Sequence, residues 1–104
     1  MTRTSALYPA LASAMVVVTR SINVEMKRNL QFREAVNRSV ARFEMLDWGE
    51  TCAEDVQTNT ESLETHGRLF AVYSTCAGKI YIIADPSADG RKYRYITVLY
   101  PSDY

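Results

Sequence analysis

Hydrophobic and polar positions along this chain keep one period in the middle and another at the end. Between Leu30 and Leu46, Phe32, Val36, Val40 and Phe43 recur at spacings of four, four and three. That interval lines a single helical face. Ala35 and Ala41 favour the helix, and Glu34 precedes Arg38 by one turn in the stabilising orientation. From Arg68 onward the pattern alternates or becomes continuously apolar. Arg68–Tyr73, Lys79–Ile83 and Tyr93–Tyr100 are rich in β-branched and aromatic residues and are separated by Cys76-Ala77-Gly78 and Pro86–Gly90. Short runs of this kind between turn-forming segments predict a three-stranded antiparallel meander. Leu69, Ala71 and Tyr73 fall on one face of the first strand and Phe70 and Val72 on the other. Ile80-Tyr81-Ile82-Ile83 lacks alternation, which places that strand in the middle, covered on both faces. The turn from Pro86 to Gly90 is expected to have a mobile tip.

The remaining segments are weaker. Met15-Val16-Val17-Val18-Thr19 is β-branched and reads as a strand added to an edge of the meander. Ile22 to Lys27 fits one helical turn or extended chain equally. Thr51-Cys52-Ala53-Glu54 has the form of a capping box, with Thr51 as N-cap of a second helix that Gly67 would stop. The inward positions of that helix are Val56, Asn59 and Leu63. A buried asparagine needs hydrogen-bond partners, and the expected ones are the preceding loop or a strand end. Gly49 would permit the reversal after the first helix. The fold class that follows is α+β, an antiparallel meander with an N-terminal strand packed on two helices.

With 104 residues, the chain has room for one domain. Residues 15–104 are expected to form it, preceded by a loosely ordered extension over 1–14. Arg3, the apolar run from Ala6 and Ala12-Ser13-Ala14 have the outline of a leader peptide, but Pro9 interrupts the apolar part. A composition of 47% hydrophobic and 23% charged residues excludes a disordered chain. No apolar run reaches the length of a membrane span. Cys52 and Cys76 form neither a CxxC pair nor a zinc pattern, and free thiols in a cytoplasmic protein are expected.

Charge changes the picture more than composition does. The net charge is zero, yet residues 1–42 hold seven Lys/Arg and two Asp/Glu, and residues 43–66 hold seven Asp/Glu and no Lys/Arg. Residues 67–104 hold five Lys/Arg and three Asp/Glu. Such segregation can stabilise the fold by apposing opposite segments, and it can also make one acidic pole that steers a basic partner. Trp48, flanked by Asp47 and Glu50, fits either a core anchor or an exposed aromatic contact. With Trp48, the carboxylates Glu50, Glu54, Asp55, Glu61 and Glu64 form the candidate partner-binding surface. Asp47, Glu50, Glu54 and Asp55 match no calcium loop. His66, the single histidine, sits at an expected helix end, and no phosphate loop or hydrolase motif occurs. No catalytic residue, metal site or cofactor is therefore expected. A second candidate surface is basic and aromatic: Arg68, Arg91, Lys92 and Arg94 with Tyr93 and Tyr95, suited to RNA.

Several segments also carry a resemblance. Val17-Val18-Thr19-Arg20, Asp47-Trp48-Gly49-Glu50, Glu54-Asp55 with Asn59, Gly67–Tyr73, Lys79–Ile83 and Thr97–Tyr104 resemble a group of small uncharacterised bacterial proteins associated with plasmids, phages and other mobile elements. Ala84–Arg91 departs from the acidic-Asp-Arg-Ser segment of that group. The resemblance implies a genomic context and interaction with host or competitor machinery. Helices followed by a meander bearing Arg, Lys and Tyr also look like RelE-type ribonuclease toxins, although an acidic middle segment opposes phosphate. The expectation is a non-enzymatic protein-interaction module whose partner is a host or competitor protein complex, with an anti-CRISPR-like inhibitor of a nucleic-acid-targeting defence system as its sharpest form. The alternative is a RelE-like ribonuclease or RNA-binding protein. Homodimerisation through a meander edge stays open unless the N-terminal strand covers it.

Overall fold

The computed structural model describes residues 8–104. A 3-10 turn at Pro9–Leu11 leads into β1 (Met15–Val18), followed by α1 (Arg20–Arg28), α2 (Leu30–Glu44), α3 (Ala53–Thr65), β2 (Leu69–Thr75), β3 (Gly78–Pro86), β4 (Tyr93–Leu99) and a last 3-10 turn at Pro101–Asp103. The sheet order is β1-β4-β3-β2. The meander β2–β3–β4 is antiparallel as the alternation predicted. β1 joins the β4 edge in parallel, pairing Met15 with Tyr95 and Val18 with Val98, so the whole sheet is mixed.

Period-two alternation carries through into burial. Leu69, Ala71 and Tyr73 of β2, Ile80, Ile82 and Ala84 of β3, and Ile96 and Val98 of β4 are buried in one core with Phe32, Val36 and Phe43 of α2 and Ile22 of α1. The opposite sheet face is set by register: Phe70 lies across from Ile83, Val72 from Tyr81, and Ile83 from Thr97. Cover there comes from aromatic side chains, with Phe70 edge-on to Tyr81 at 4.8 Å and Tyr104 edge-on to Tyr81 at 6.0 Å.

Among the described residues three α-helices are present where two were expected. The ambiguous segment after β1 is α1, separated from α2 by Asn29, whose extended backbone breaks the helix and whose Oδ1 accepts from the Phe32 amide to cap α2. The start of α1 is held by a distant residue: Asp103 accepts from the Thr19 hydroxyl at 2.9 Å and the Ser21 hydroxyl at 3.0 Å. The Thr19 bond first, then the Tyr100 amide and after it the Ser21 bond, hold the Asp103 carboxyl below its ordinary range.

The reversal after α2 also differs from expectation. Leu46 takes the left-handed conformation (φ 65°), and the Asp47 amide reaches back to the Arg42 carbonyl. Gly49 has another task. At φ 63° it lies so close to β2 that a Cβ would stand 2.5 Å from the Tyr73 ring and 2.6 Å from the Val72 carbonyl. Thr51 does not cap α3 either, because Cys52 is the N-cap residue. The Thr51 hydroxyl instead donates to the Trp48 carbonyl and accepts from the Val72 amide.

The expectation of a loosely ordered extension fails over residues 8–14. Leu11 is fully buried, the Tyr8 amide donates to the Glu44 carbonyl, and the Tyr8 hydroxyl donates to the Leu63 carbonyl. Pro9 starts the 3-10 turn that drives Leu11 inward. The rest of that expectation, residues 1–7, lies outside the described residues. Among the described residues no helix is long and apolar enough to cross a membrane.

Candidate functional site

Both sequence-predicted surfaces are shaped by what lies beside β2 and β4. α3 runs along the outer edge of β2 and is fixed there by Asn59. Its amide donates to the Phe70 carbonyl at 2.8 Å, and its Oδ1 accepts from the Phe70 amide at 3.1 Å. One side chain thus replaces a neighbouring strand. Further along, Val72 is satisfied by the Glu50 amide and the Thr51 hydroxyl. The β2 edge is occupied and β1 covers the β4 edge, so both meander edges are taken, and among the described residues the strand edge that remains is that of β1.

With Val56, Asn59 and Leu63 turned inward, helical geometry puts Glu54 and Glu61, two turns apart, on the opposite side. Glu64 flanks them and Asp55 lies at the boundary, where its carboxylate accepts from the Cys52 thiol. Glu54, Glu61 and Glu64 are exposed. Glu61 accepts from the Gln57 amide. Among the described residues, none of the four α3 carboxylates takes part in a salt bridge. Glu50 stands apart from them, 3.6 Å from the Lys79 ammonium. Trp48 is half-buried, its ring edge-on to Phe43 at 5.4 Å, so it serves mainly as a lid on the core margin. Asp47 belongs to Arg42, whose guanidinium makes two bonds to it at 2.8 and 3.1 Å. That pair, then the Gly49 amide, holds the Asp47 carboxyl below the usual range. Asp47, Glu50, Glu54 and Asp55 are therefore not gathered on a common point, and among the described residues no cluster of three potential metal ligands forms.

The basic candidates divide. Arg68 faces Asp85 at 3.2 Å and reaches over the Tyr104 ring. Arg91, Lys92 and Arg94 sit together at the β3–β4 turn and the start of β4. The turn expected to have a mobile tip is tied internally: the Ser87 hydroxyl and the Arg91 amide both donate to Asp89, and the Ser87 amide donates to the Lys92 carbonyl. The Ser87 bond, followed by the Arg91 one, lowers the Asp89 pKa.

Two cavities open at this turn. One, of about 380 Å³, is lined by Tyr8, Pro9, Ala10, His66, Arg91 and Lys92. The other, of about 410 Å³, shares Lys92 and adds Arg94, Tyr95 and Ser13 among its walls. Arg94 lies 5.2 Å over the Tyr95 ring. His66 closes α3 in the left-handed conformation (φ 54°), and its Nδ1 is 2.9 Å from the Gly90 carbonyl. A carbonyl only accepts, so Nδ1 carries the proton. Tyr93, beneath this turn, donates its hydroxyl to the Gly67 carbonyl, and burial pushes its pKa up to about 12. The sequence indicated the three cations but neither Tyr8 nor His66 as their neighbours, since no local pattern links positions so far apart.

No protein-family model, curated protein or solved structure matches the chain.

Proposed function

We propose that this chain is a non-enzymatic protein-interaction module that presents the carboxylates of α3 to a basic surface of its partner. The observation that carries this reading is a helix with four carboxylates, none of them in an ion pair among the described residues, docked to a strand edge by a polar clamp. Docking by Asn59 fixes the helix in place and leaves Glu54, Glu61 and Glu64 exposed. An array of one sign raises the encounter rate with a surface of the other and selects against acidic partners. The sharpest form of the proposal is an inhibitor of a host nucleic-acid-targeting defence system, with these carboxylates occupying the basic channel where nucleic acid would lie.

The test is affinity capture from nuclease-treated host lysate, comparing the native protein, Glu54→Lys with Glu61→Lys, and Arg91→Ala with Lys92→Ala. A partner retained by the native and the Arg/Lys-deleted proteins, and reduced about tenfold by charge reversal at unchanged melting temperature, is the expected result. Asp55 is left intact because it contacts the Cys52 thiol where α3 begins. Equal retention by the charge-reversed protein would sink the proposal.

A further inference from the structure

We propose that the paired cavities at the β3–β4 turn form a binding groove for single-stranded nucleic acid, distinct from the acidic α3 face. Three features of the groove point the same way. The first is charge. Arg91, Lys92 and Arg94 are exposed, and none makes a salt bridge among the described residues. Of the two carboxylates nearby, Asp85 is paired with Arg68, and Asp89, bonded to the Ser87 hydroxyl and the Arg91 amide, keeps its charge close to Lys92, which leaves the cations in excess. The second is shape. Two adjoining hollows of about 380 and 410 Å³ share Lys92, so one cation stands between two compartments. The third is chemistry within each compartment. Tyr8 lines one and Tyr95 the other, the latter with the Arg94 guanidinium over its ring. Rings of this kind accept the face of an unstacked base. His66, with Nδ1 committed to Gly90, leaves Nε2 to hydrogen-bond a base edge or a ribose hydroxyl.

Together these groups offer cations for successive phosphates and aromatic faces for the bases between them. A duplex keeps its base faces stacked and cannot use the tyrosines, which is why the groove selects a single strand. Its local charge is what matters: at physiological salt, charges more than about 8 Å away are largely screened, so chain neutrality does not forbid binding. Tyr8, Pro9 and Ala10 in one hollow and Ser13 in the other, all within the segment expected from sequence to be a loose extension, supply part of the walls.

The test is fluorescence anisotropy with a labelled single-stranded RNA of about twelve nucleotides and its duplex. Expected are a Kd of roughly 1–100 µM for the single strand at low salt, with a log–log salt slope of about −2 from three phosphate contacts. Arg91→Ala with Lys92→Ala should flatten that slope to about −0.7, and Tyr95→Ala should weaken binding about tenfold. Glu54→Lys with Glu61→Lys should not weaken it, which separates this groove from the α3 surface. Amide shifts of the native protein titrated with the same RNA should fall on residues 8–13, 66 and 87–95, a readout that needs no variant. Binding weaker than this range, insensitivity to the substitutions, equal affinity for the duplex, preference for anionic lipid vesicles over RNA, or shifts confined elsewhere would each overturn the proposal.

Discussion

α2 and α3 are nearly the same length, fifteen and thirteen residues, yet they are attached to the sheet by opposite means. α2 buries Phe32, Ala35, Val36, Ser39 and Phe43, and its attachment is mostly apolar area removed from water. α3 buries Asn59 alone, with Leu63 only partly buried against the core, and is positioned on the strand by two hydrogen bonds from Asn59 to one residue. Apolar packing tolerates small displacements and loses stability in proportion to volume. A paired amide fixes position closely but fails as a unit, because losing it leaves two part-buried backbone groups without that partner. The helix with the acidic face is thus the one located by geometry more than by area, which suits the partner-facing role proposed for it.

Three measurements would break or sharpen that contrast. The largest effect is expected from Phe43→Ala, which empties a fully buried site and removes the ring that Trp48 packs on. It should cost about 3–5 kcal/mol in urea unfolding; a loss below about 1 kcal/mol would mean that α2 is not held by its seam. Next, Asn59→Ala should cost about 2–4 kcal/mol, since the Phe70 N–H and C=O both lose their partner. Hydrogen exchange should then accelerate at Phe70 and through α3 while α2 stays protected. Parallel acceleration in both helices would show that they open together and would end the contrast.

The smallest effect concerns the Arg42–Asp47 pair at the end of α2. Arg42 depresses the folded pKa of Asp47, so the pair contributes above the unfolded carboxyl pKa of about 3.9 and is lost as pH falls through the lower folded value. Both side chains are about half exposed, which keeps the contribution below about 1 kcal/mol. The native protein should exceed Asp47→Asn in stability at pH 6, and the gap should close near pH 2. A gap that persists at pH 2, where both side chains are neutral and both still offer Oδ1 to the Gly49 amide, would show that charge is not its source.

Much of the candidate surface could be read from local pattern. The carboxylates of α3 follow from helical spacing once Val56, Asn59 and Leu63 are taken as the inner side, and the strand-end partner expected for Asn59 is Phe70. Trp48 and Glu50 were grouped with those carboxylates by sequence proximity alone. The chain between Glu44 and Ala53 doubles back against β2, sending the indole to Phe43 and Glu50 to Lys79. Arg68 was grouped with the basic turn by type, and Asp85 draws it away.

Spacing was enough for α2 and the three meander strands, because periods of 3.6 and two express which side chains must leave water, and that demand is written residue by residue. The isolated hydroxyl and carboxylate contacts were not available to any such pattern. Asp103 holds the start of α1 across 82 residues, and Thr51 bonds Val72 across 21. Tyr8 and His66 meet Arg91 and Lys92 in one cavity only because the chain's first described residues are folded against α3 and the last turn of the meander. Hydrogen bonds and cavities of that kind depend on atoms brought within a few ångströms by the packing of whole elements, which no periodicity encodes.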